Sequence, residues 1–265
     1  EPEPPYSRMA IPYLLIGKVG EDGTHLRHGD SHFVLQRIEI KRARCTAVDV
    51  KQRSLTLSEG SVLSFDTLLI ATGSQPAQPP IPGITLPGVH TCWTMADARA
   101  IMALAQPGAR VLQMGAGFIG CIIMEALAAR GVQLSVVEMG DRMVPRMMGP
   151  TAGGMIREWC EKKGVQVFTG ARVEAIEVAG TDAAPAATAP ALRVRLSTGA
   201  VLDADLVISA TGVKPSIAFL ENSGITCLQG VLTDEYLQTN VPGIYAAGDC
   251  AEAFDKVAGK PIVSA

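Results

Sequence analysis

Aromatic residues make up only 5% of this 265-residue chain, and charged residues only 18%. No apolar run approaches the roughly 20 residues that a membrane-spanning helix needs, and no signal peptide opens the sequence. The formal net charge is −3, and no cluster of lysine and arginine is dense enough to suggest a nucleic-acid face. There is no CxxC pair. The six cysteines, at 45, 92, 121, 160, 227 and 250, are scattered. That spacing argues against a redox dithiol, a zinc site and a disulfide scaffold together. The expectation is reduced, mostly buried thiols in a cytoplasmic protein. The first residue is Glu1 and not Met, which suggests that the natural start is missing. Apolar residues, by contrast, are plentiful at 48%. They suffice for a substantial core, in one large domain or two of ordinary size.

The segment from Glu1 to Arg8 is too rich in proline for a helix or a central strand. A mixed polar stretch follows to about Asp30. Short strand-like runs come next, at Phe33–Leu35, Ile38–Ile40, Cys45–Val50, Ser54–Ser58 and Val62–Leu63, with Glu59 and Gly60 as a turn signal. They read as a small antiparallel meander. Asp66–Ala71 is continuously apolar after its first residues, as expected of a strand buried on both faces. Five prolines from Pro76 to Pro87 inclusive mark a connector. Beyond it the pattern predicts a helix over Ala96–Ala105, a strand over Arg110–Met114, a loop over Gly115–Gly120 and a helix to about Arg130, stopped by Gly131. A second strand over Leu134–Val137 completes a βαβ unit. An amphipathic helix over Met155–Lys163 ends at Gly164. Strands are expected at Val165–Phe168, Val173–Val178, Arg193–Leu196, Leu206–Ser209 and Gly243–Ala247. Gly180–Ala191 is low-complexity sequence and reads as a hairpin loop without chemistry.

Gly115, Gly117 and Gly120 fit GxGxxG. Alone that string is a weak sign. Here it follows a predicted strand and opens a predicted helix, and Glu138 ends the next strand 18 residues past Gly120. Gly115 would permit the tight turn, Gly117 the approach of a pyrophosphate, and Gly120 close helix–strand packing. Phe118 and Ile119 open the helix, whose N-terminal N–H groups would face the phosphates. Glu138 could accept hydrogen bonds from both adenosine-ribose hydroxyls and repel a 2′-phosphate, favouring NADH over NADPH. Arg142 nearby could instead pair with such a phosphate. An apolar strand ending in Ala-Thr-Gly occurs twice, with Thr72 and Gly73 and again with Gly212. A glycine there lets the chain pass close to another object. Gly248 and Asp249 follow a further apolar strand. Asp249 could hold a polyol hydroxyl, with a helix start behind it facing a phosphate, or could serve as a simple helix cap. His25, His28 and His32, with Asp22 and Asp30, have spacing that a metal site could use, although a solvated polar segment accounts for them. Trp93 reads as packing at a domain junction.

Four segments appear in a fixed order: Asp66–Gly73, Gly115–Gly120 with Glu138, Asp205–Gly212, and Thr239–Asp249. In that order and spacing, over nearly the whole chain, the sequence resembles the FAD-dependent pyridine nucleotide-disulfide oxidoreductase superfamily. It is most similar to the single-flavin branch of NADH oxidases, coenzyme A-disulfide reductases, rubredoxin and ferredoxin reductases, and the flavin part of nitrite reductase. The resemblance implies an α/β fold of two Rossmann-like domains of three-layer ββα type, with the NADH domain inserted into an incomplete FAD domain. The implied boundaries are 1–88 and 214–265 for FAD and 89–213 for NADH. It implies FAD and NADH as cofactors, hydride transfer from one to the other, and an electron-carrier protein such as rubredoxin or ferredoxin as partner. It also allows a homo-oligomer of the full-length protein. Asp249 would hold the FAD ribitol and Gly248 its pyrophosphate. Thr72 and Gly73 would border the flavin. Glu1 would bind the FAD adenosine ribose, with Arg8 near the pyrophosphate. Cys45 would lie where backbone pairs with adenine, and Gly212 beside the nicotinamide.

The sequence departs from that pattern in four ways. The FAD domain's own opening strand, GxGxxG loop and helix, roughly 35 residues of a normal βαβ unit, are absent, which predicts weak or absent FAD binding by this chain alone. The C-terminal interface domain is absent as well. Met9 stands where NADH oxidases and coenzyme A-disulfide reductases keep a redox cysteine, and a thioether forms neither a sulfenic acid nor a mixed disulfide. Tyr13 lies near where electron-transfer reductases carry a lysine by the flavin. Ile122 replaces a glutamate near the nicotinamide, with Glu125 one turn further on. The expected acceptor is therefore a protein carrier, a quinone-like molecule or oxygen. The alternatives are an oxidase or disulfide reductase using another cysteine, and a non-catalytic NADH-sensing flavoprotein. No acid/base residue is assigned.

Overall fold

The computed structural model describes residues 3–27, 29, 31–179, 190–255 and 257–263. Chain contacts divide it into two compact units. One joins Glu1–Asp30 to Pro76–Gly212, and the other joins Ser31–Gln75 to Val213–Ala265. The segment before residue 31 therefore clusters with the glycine-loop unit, whereas the sequence reading grouped residues 1–88 together. No helix among the described residues is long and apolar enough to cross a membrane.

The first unit is built on a five-stranded sheet. Its order is Val89–His90, Leu206–Ser209, Arg110–Met114, Gln133–Glu138 and Gln166–Thr169. Every neighbouring pair is parallel. Successive side chains alternate between the two faces. Val111, Val136, Leu206 and Ile208 join a helical core containing Ile101, Ile123 and Leu127. Leu112, Met114, Val137 and Val207 join the opposite core. That second core is closed by an antiparallel sheet of Val173–Val178, Leu192–Leu196 and Val201–Ala204. The result is three layers: helices, parallel sheet and antiparallel sheet. Covering both faces explains why the strands read as unbroken apolar runs.

The helices start and stop where local chemistry dictates. Thr94 caps Met95–Leu104 in a reciprocal capping box with Asp97. Phe118–Ala129 ends at Arg130, followed by Gly131 at φ 76°. Pro150 opens Pro150–Lys162, an earlier start than the apolar pattern suggested, because proline is tolerated in the first turn. The polar opening stretch holds a short helix, Ile11–Leu15, which buries Ile11, Leu14 and Leu15 at i, i+3 and i+4. The Arg130 guanidinium ties it down, donating to the carbonyls of Leu15, Met102 and Ala105 at 2.5, 2.9 and 2.8 Å.

The second unit has a small core around Val48, Ile70, Leu220, Val231 and Ile244. An antiparallel meander of Cys45–Asp49, Ser54–Leu57 and Val62–Ser64 matches the sequence reading. Leu68–Ile70 pairs in parallel with Ile244–Ala246. Val231–Thr233 runs parallel to Ala251–Asp255, which also pairs with Lys260–Val263.

Several expectations are corrected. Phe33–Leu35 lies in a helix, Ser31–Leu35. Arg37 then takes φ 54°, and the N–H groups of Arg37 and Ile38 return to the carbonyls of Val34 and Phe33. This is a Schellman closure, which leaves no strand at Ile38–Ile40. Asp66–Ala71 contains only the strand Leu68–Ile70, and it is buried on one face, with Ile70 3% exposed and Leu69 61%. It has one hydrogen-bonded neighbour among the described residues. Gly248–Cys250 is a single 3-10 turn, and Ala251 returns to extended backbone. Strand pairing with Val231–Thr233 therefore replaces the expected helix start. The low-complexity loop at 180–189 lies outside the described residues.

Candidate functional site

The central strand Arg110–Met114 and its neighbour Leu206–Ser209 end side by side. From Arg110–Met114 the chain leaves through the helix to Gln133–Glu138 on one side, and Leu206–Ser209 closes the other. Such a reversal of strand order opens a crevice at the carboxyl ends of the strands. The glycine loop and Ala210–Gly212 both lie there. The three loop glycines differ in what surrounds them. Gly115 has φ 95°, and a Cβ on it would lie 2.4 Å from the Ala210 carbonyl oxygen. A Cβ on Gly120 would lie 2.6 Å from the Gly115 carbonyl oxygen. Gly117, at φ −71°, is not constrained in that way. A Cβ there would meet nothing within 4 Å, so the protein leaves that space open. Gly212, at φ 114°, faces similar open space.

Gly117 is also the N-cap of Phe118–Ala129, with no side-chain cap and no acidic residue in the first turn. The helix thus presents uncompensated N–H groups and the positive end of its dipole. That arrangement suits a phosphate. Glu138, half-buried at the end of the next strand, accepts the Ala116 N–H on Oε2 and the Gly140 N–H on Oε1, both at 2.7 Å. Each carboxylate oxygen keeps a further lone-pair direction for a hydroxyl donor. Arg142 is folded onto its own loop, donating to Met148 O and Pro145 O and pairing with Asp141 at 2.6 Å. Phe118 and Ile119 are exposed at the helix start. Ile122 is half-buried and Glu125 exposed on the same helix.

In the second unit, the parallel pair Leu68–Ile70 and Ile244–Ala246 brings Thr72 and Gly73 to the same edge as Gly248 and Asp249. Gly73 at φ 64° and Gly248 at φ 75° both adjoin open space. The Thr72 hydroxyl donates to Ser216 O at 2.8 Å. The Ser74 hydroxyl donates to Asp249 Oδ2 at 2.9 Å, orienting the carboxylate. Cys45 lies on the meander strand, with a bulge between it and Ala47.

Arg8 belongs to the first unit, its guanidinium 4.9 Å from the centre of the Trp93 ring. Met9 and Tyr13 are exposed beside it in sequence, at 66% and 53%. Glu1, His28 and Asp30 lie outside the described residues. His25 pairs with Tyr6 in an isolated bridge and His32 sits on the short helix. Among the described residues no three His, Cys, Asp or Glu side chains gather as metal ligands. Burial raises the thiol of Cys45 and pushes those of Cys92 and Cys121 up to about 12 and about 11. Cys160 and Cys227 are raised by burial too.

Two side chains at these sites escaped the motif reading. Ser74 simply follows an Ala-Thr-Gly end. Gln113 leaves a signal, as the one polar residue in the run Val111–Met114, and the structure buries it completely.

The profile of the pyridine nucleotide-disulphide oxidoreductases matches residues 2–262. The NADH-dependent phenylglyoxylate dehydrogenase subunit epsilon of Aromatoleum evansii is 31% identical over 262 residues, 98% of this chain and 60% of that one. An NADH oxidase of Methanocaldococcus jannaschii is 30% identical over 275 residues, 100% of this chain and 59% of that one. A crystal structure of a ferredoxin reductase from Rhodopseudomonas palustris superposes with a TM-score of 0.89 at 26% identity, covering 99% of this chain and 63% of that one. The chain thus spans about three-fifths of the length of these relatives. On the match over almost its entire length, the chain belongs to the pyridine nucleotide-disulphide oxidoreductase family, whose members are FAD- and NAD(P)H-dependent oxidoreductases.

Proposed function

We propose that the protein works as an NADH-dependent flavoprotein reductase that hands electrons to a protein carrier or another non-disulfide acceptor. The observation that carries this reading is the open space over Gly117, set between an uncapped helix N-terminus and the Glu138 carboxylate. There the N–H groups at the start of Phe118–Ala129 would hold the pyrophosphate of NADH. Glu138 would accept from the adenosine ribose, and Arg142, with three of its five N–H donors engaged by Met148 O, Pro145 O and Asp141, is drawn toward its own loop and away from a 2′-phosphate. Asp249, oriented by Ser74, would accept from the FAD ribitol, and a Cβ on Gly73 or Gly248 beside it would meet nothing within 4 Å, which leaves room for the flavin. When bound, NADH supplies a hydride and FAD takes it up and passes electrons on.

The acceptor class rests on sulfur chemistry. Thiol–disulfide exchange needs a thiolate, and by the sequence resemblance Met9 falls where the disulfide-reducing members of the family keep a redox cysteine. The raised thiols of Cys45, Cys92, Cys121, Cys160 and Cys227 stay protonated near neutral pH. A ferredoxin-like carrier is the partner this reading favours, since a ferredoxin reductase shares the fold at 26% identity.

The test is a visible spectrum of the full-length protein followed by anaerobic addition of NADH. A flavin spectrum that bleaches on mixing, with dye or ferredoxin reduction that survives thiol alkylation, supports the proposal. Disulfide reduction that alkylation abolishes would replace it with the thiol-using reading. A flavin that NADH leaves oxidised would move the protein to a non-catalytic role.

A further inference from the structure

We infer that Gln113 is a positioning residue for the bound dinucleotide, acting through the Gly115–Ala116 peptide on Glu138; this rests on the NADH reading of the glycine loop. Gln113 is fully buried in the central strand of the parallel sheet. Its Nε2 donates to the carbonyl oxygens of Gly115, at 2.8 Å, and Gly120, at 3.0 Å. Its Oε1 has no hydrogen-bond partner among the described residues. Turning the amide over would set that oxygen against two carbonyl oxygens, so the side chain has one acceptable orientation.

The geometry gives this pair of bonds a reach beyond packing. A trans peptide directs its C=O and its N–H to opposite sides. Gln113 holds the Gly115 carbonyl on one side, and Glu138 Oε2 holds the Ala116 N–H of the same peptide on the other, at 2.7 Å. One peptide plane is therefore clamped between a buried amide and the carboxylate that reads the ribose. The second Gln113 bond fixes the Gly120 carbonyl in the first turn of the helix that receives the pyrophosphate. Gln113 so links the ribose acid to the phosphate-facing helix. A buried polar side chain with one unsatisfied atom is costly to keep. An apolar residue would pack there at less cost, and this loop geometry is what the glutamine supplies in return.

The test measures equilibrium NADH and NADPH binding to the full chain for Gln113→Met and Gln113→Glu. The Met variant keeps length and apolar packing but loses both donors. We expect its NADH affinity to fall about tenfold, the scale of two lost hydrogen bonds. The preference for NADH over NADPH should narrow as the Gly115–Ala116 peptide, which donates to Glu138, loses its anchor on the other side. In the Glu variant a carboxylate would face the two carbonyl oxygens, whereas its protonated form keeps one O–H donor. Its NADH affinity should rise as pH falls from 8 to 5, a trend absent from the unsubstituted protein. Wild-type NADH affinity and preference in Gln113→Met, or a pH-independent affinity in Gln113→Glu, would overturn the inference and leave the dinucleotide site standing. Failure of the unsubstituted protein to bind NADH would overturn the site reading, and this inference with it.

Discussion

Each loop glycine has a different setting, and substitutions can separate the consequences. A side chain at Gly117 meets nothing in the protein, and its φ of −71° suits any residue. Gly117→Val should therefore melt within a few degrees of the parent while NADH affinity falls at least about tenfold, because the branched side chain fills the space a pyrophosphate needs. Thermal melting and an NADH titration on the same preparation check both halves. At Gly120 the obstacle is internal, since an added Cβ lies 2.6 Å from the Gly115 carbonyl. Gly120→Ala should lower stability by about 1–3 kcal/mol, as overpacking does, which a denaturant titration would read. The spacing of Gly115, Gly117 and Gly120 was legible in the sequence, because a loop of six residues between a strand and a helix is a local feature. Gln113 was not, because a buried glutamine looks like a lapse in an apolar run until its two carbonyl partners are seen.

Among the elements, helices with local stop and start signals were the most legible. The helix Met95–Leu104 depends on Thr94, whose hydroxyl accepts the Asp97 N–H at 3.1 Å while Asp97 Oδ2 accepts the Thr94 N–H at 2.9 Å. Thr94→Ala should cost about 1 kcal/mol in unfolding free energy, measured by urea titration. The short helix Ser31–Leu35 was read as a strand because three apolar residues in a row carry no periodicity. Its identity depends on the left-handed Arg37 and the Schellman bonds behind it, and arginine at that place gives no cue. Two short strands also escaped: Val201–Ala204, although it forms a hairpin with the adjoining Leu192–Leu196, and Val231–Thr233, whose parallel partner Ala251–Asp255 does not adjoin it in sequence.

For each unit as a whole, ties between distant segments set the response to conditions. Arg110 and Asp205, 95 residues apart, join two neighbouring strands of the parallel sheet through side-chain bonds of 2.6 and 3.2 Å and a backbone N–H bond of 2.9 Å. The hydrogen bonds from Arg110 hold the Asp205 carboxyl below its ordinary value. A depressed folded pKa means the tie contributes fully above the unfolded carboxyl value of about 3.9, and is lost as pH falls through the lower folded value. Asp205→Asn should therefore be less stable than the parent at pH 7, with a shallower loss of stability below about pH 4, as denaturant midpoints across pH would show.

The sequence by itself determined the family, the α/β class, the glycine loop and the two Ala-Thr-Gly ends. Those features are written in local spacing: a turn needs its glycine within a few residues, and a buried strand needs an unbroken apolar run. Tertiary structure alone decided that Thr72 and Asp249 share one strand edge, that Ser74 aims the Asp249 carboxylate, and that Gln113 and Glu138 grip one peptide from opposite sides. These are contacts between segments up to 175 residues apart. No local periodicity encodes them, because they arise only when parallel strands from distant parts of the chain are laid side by side in register.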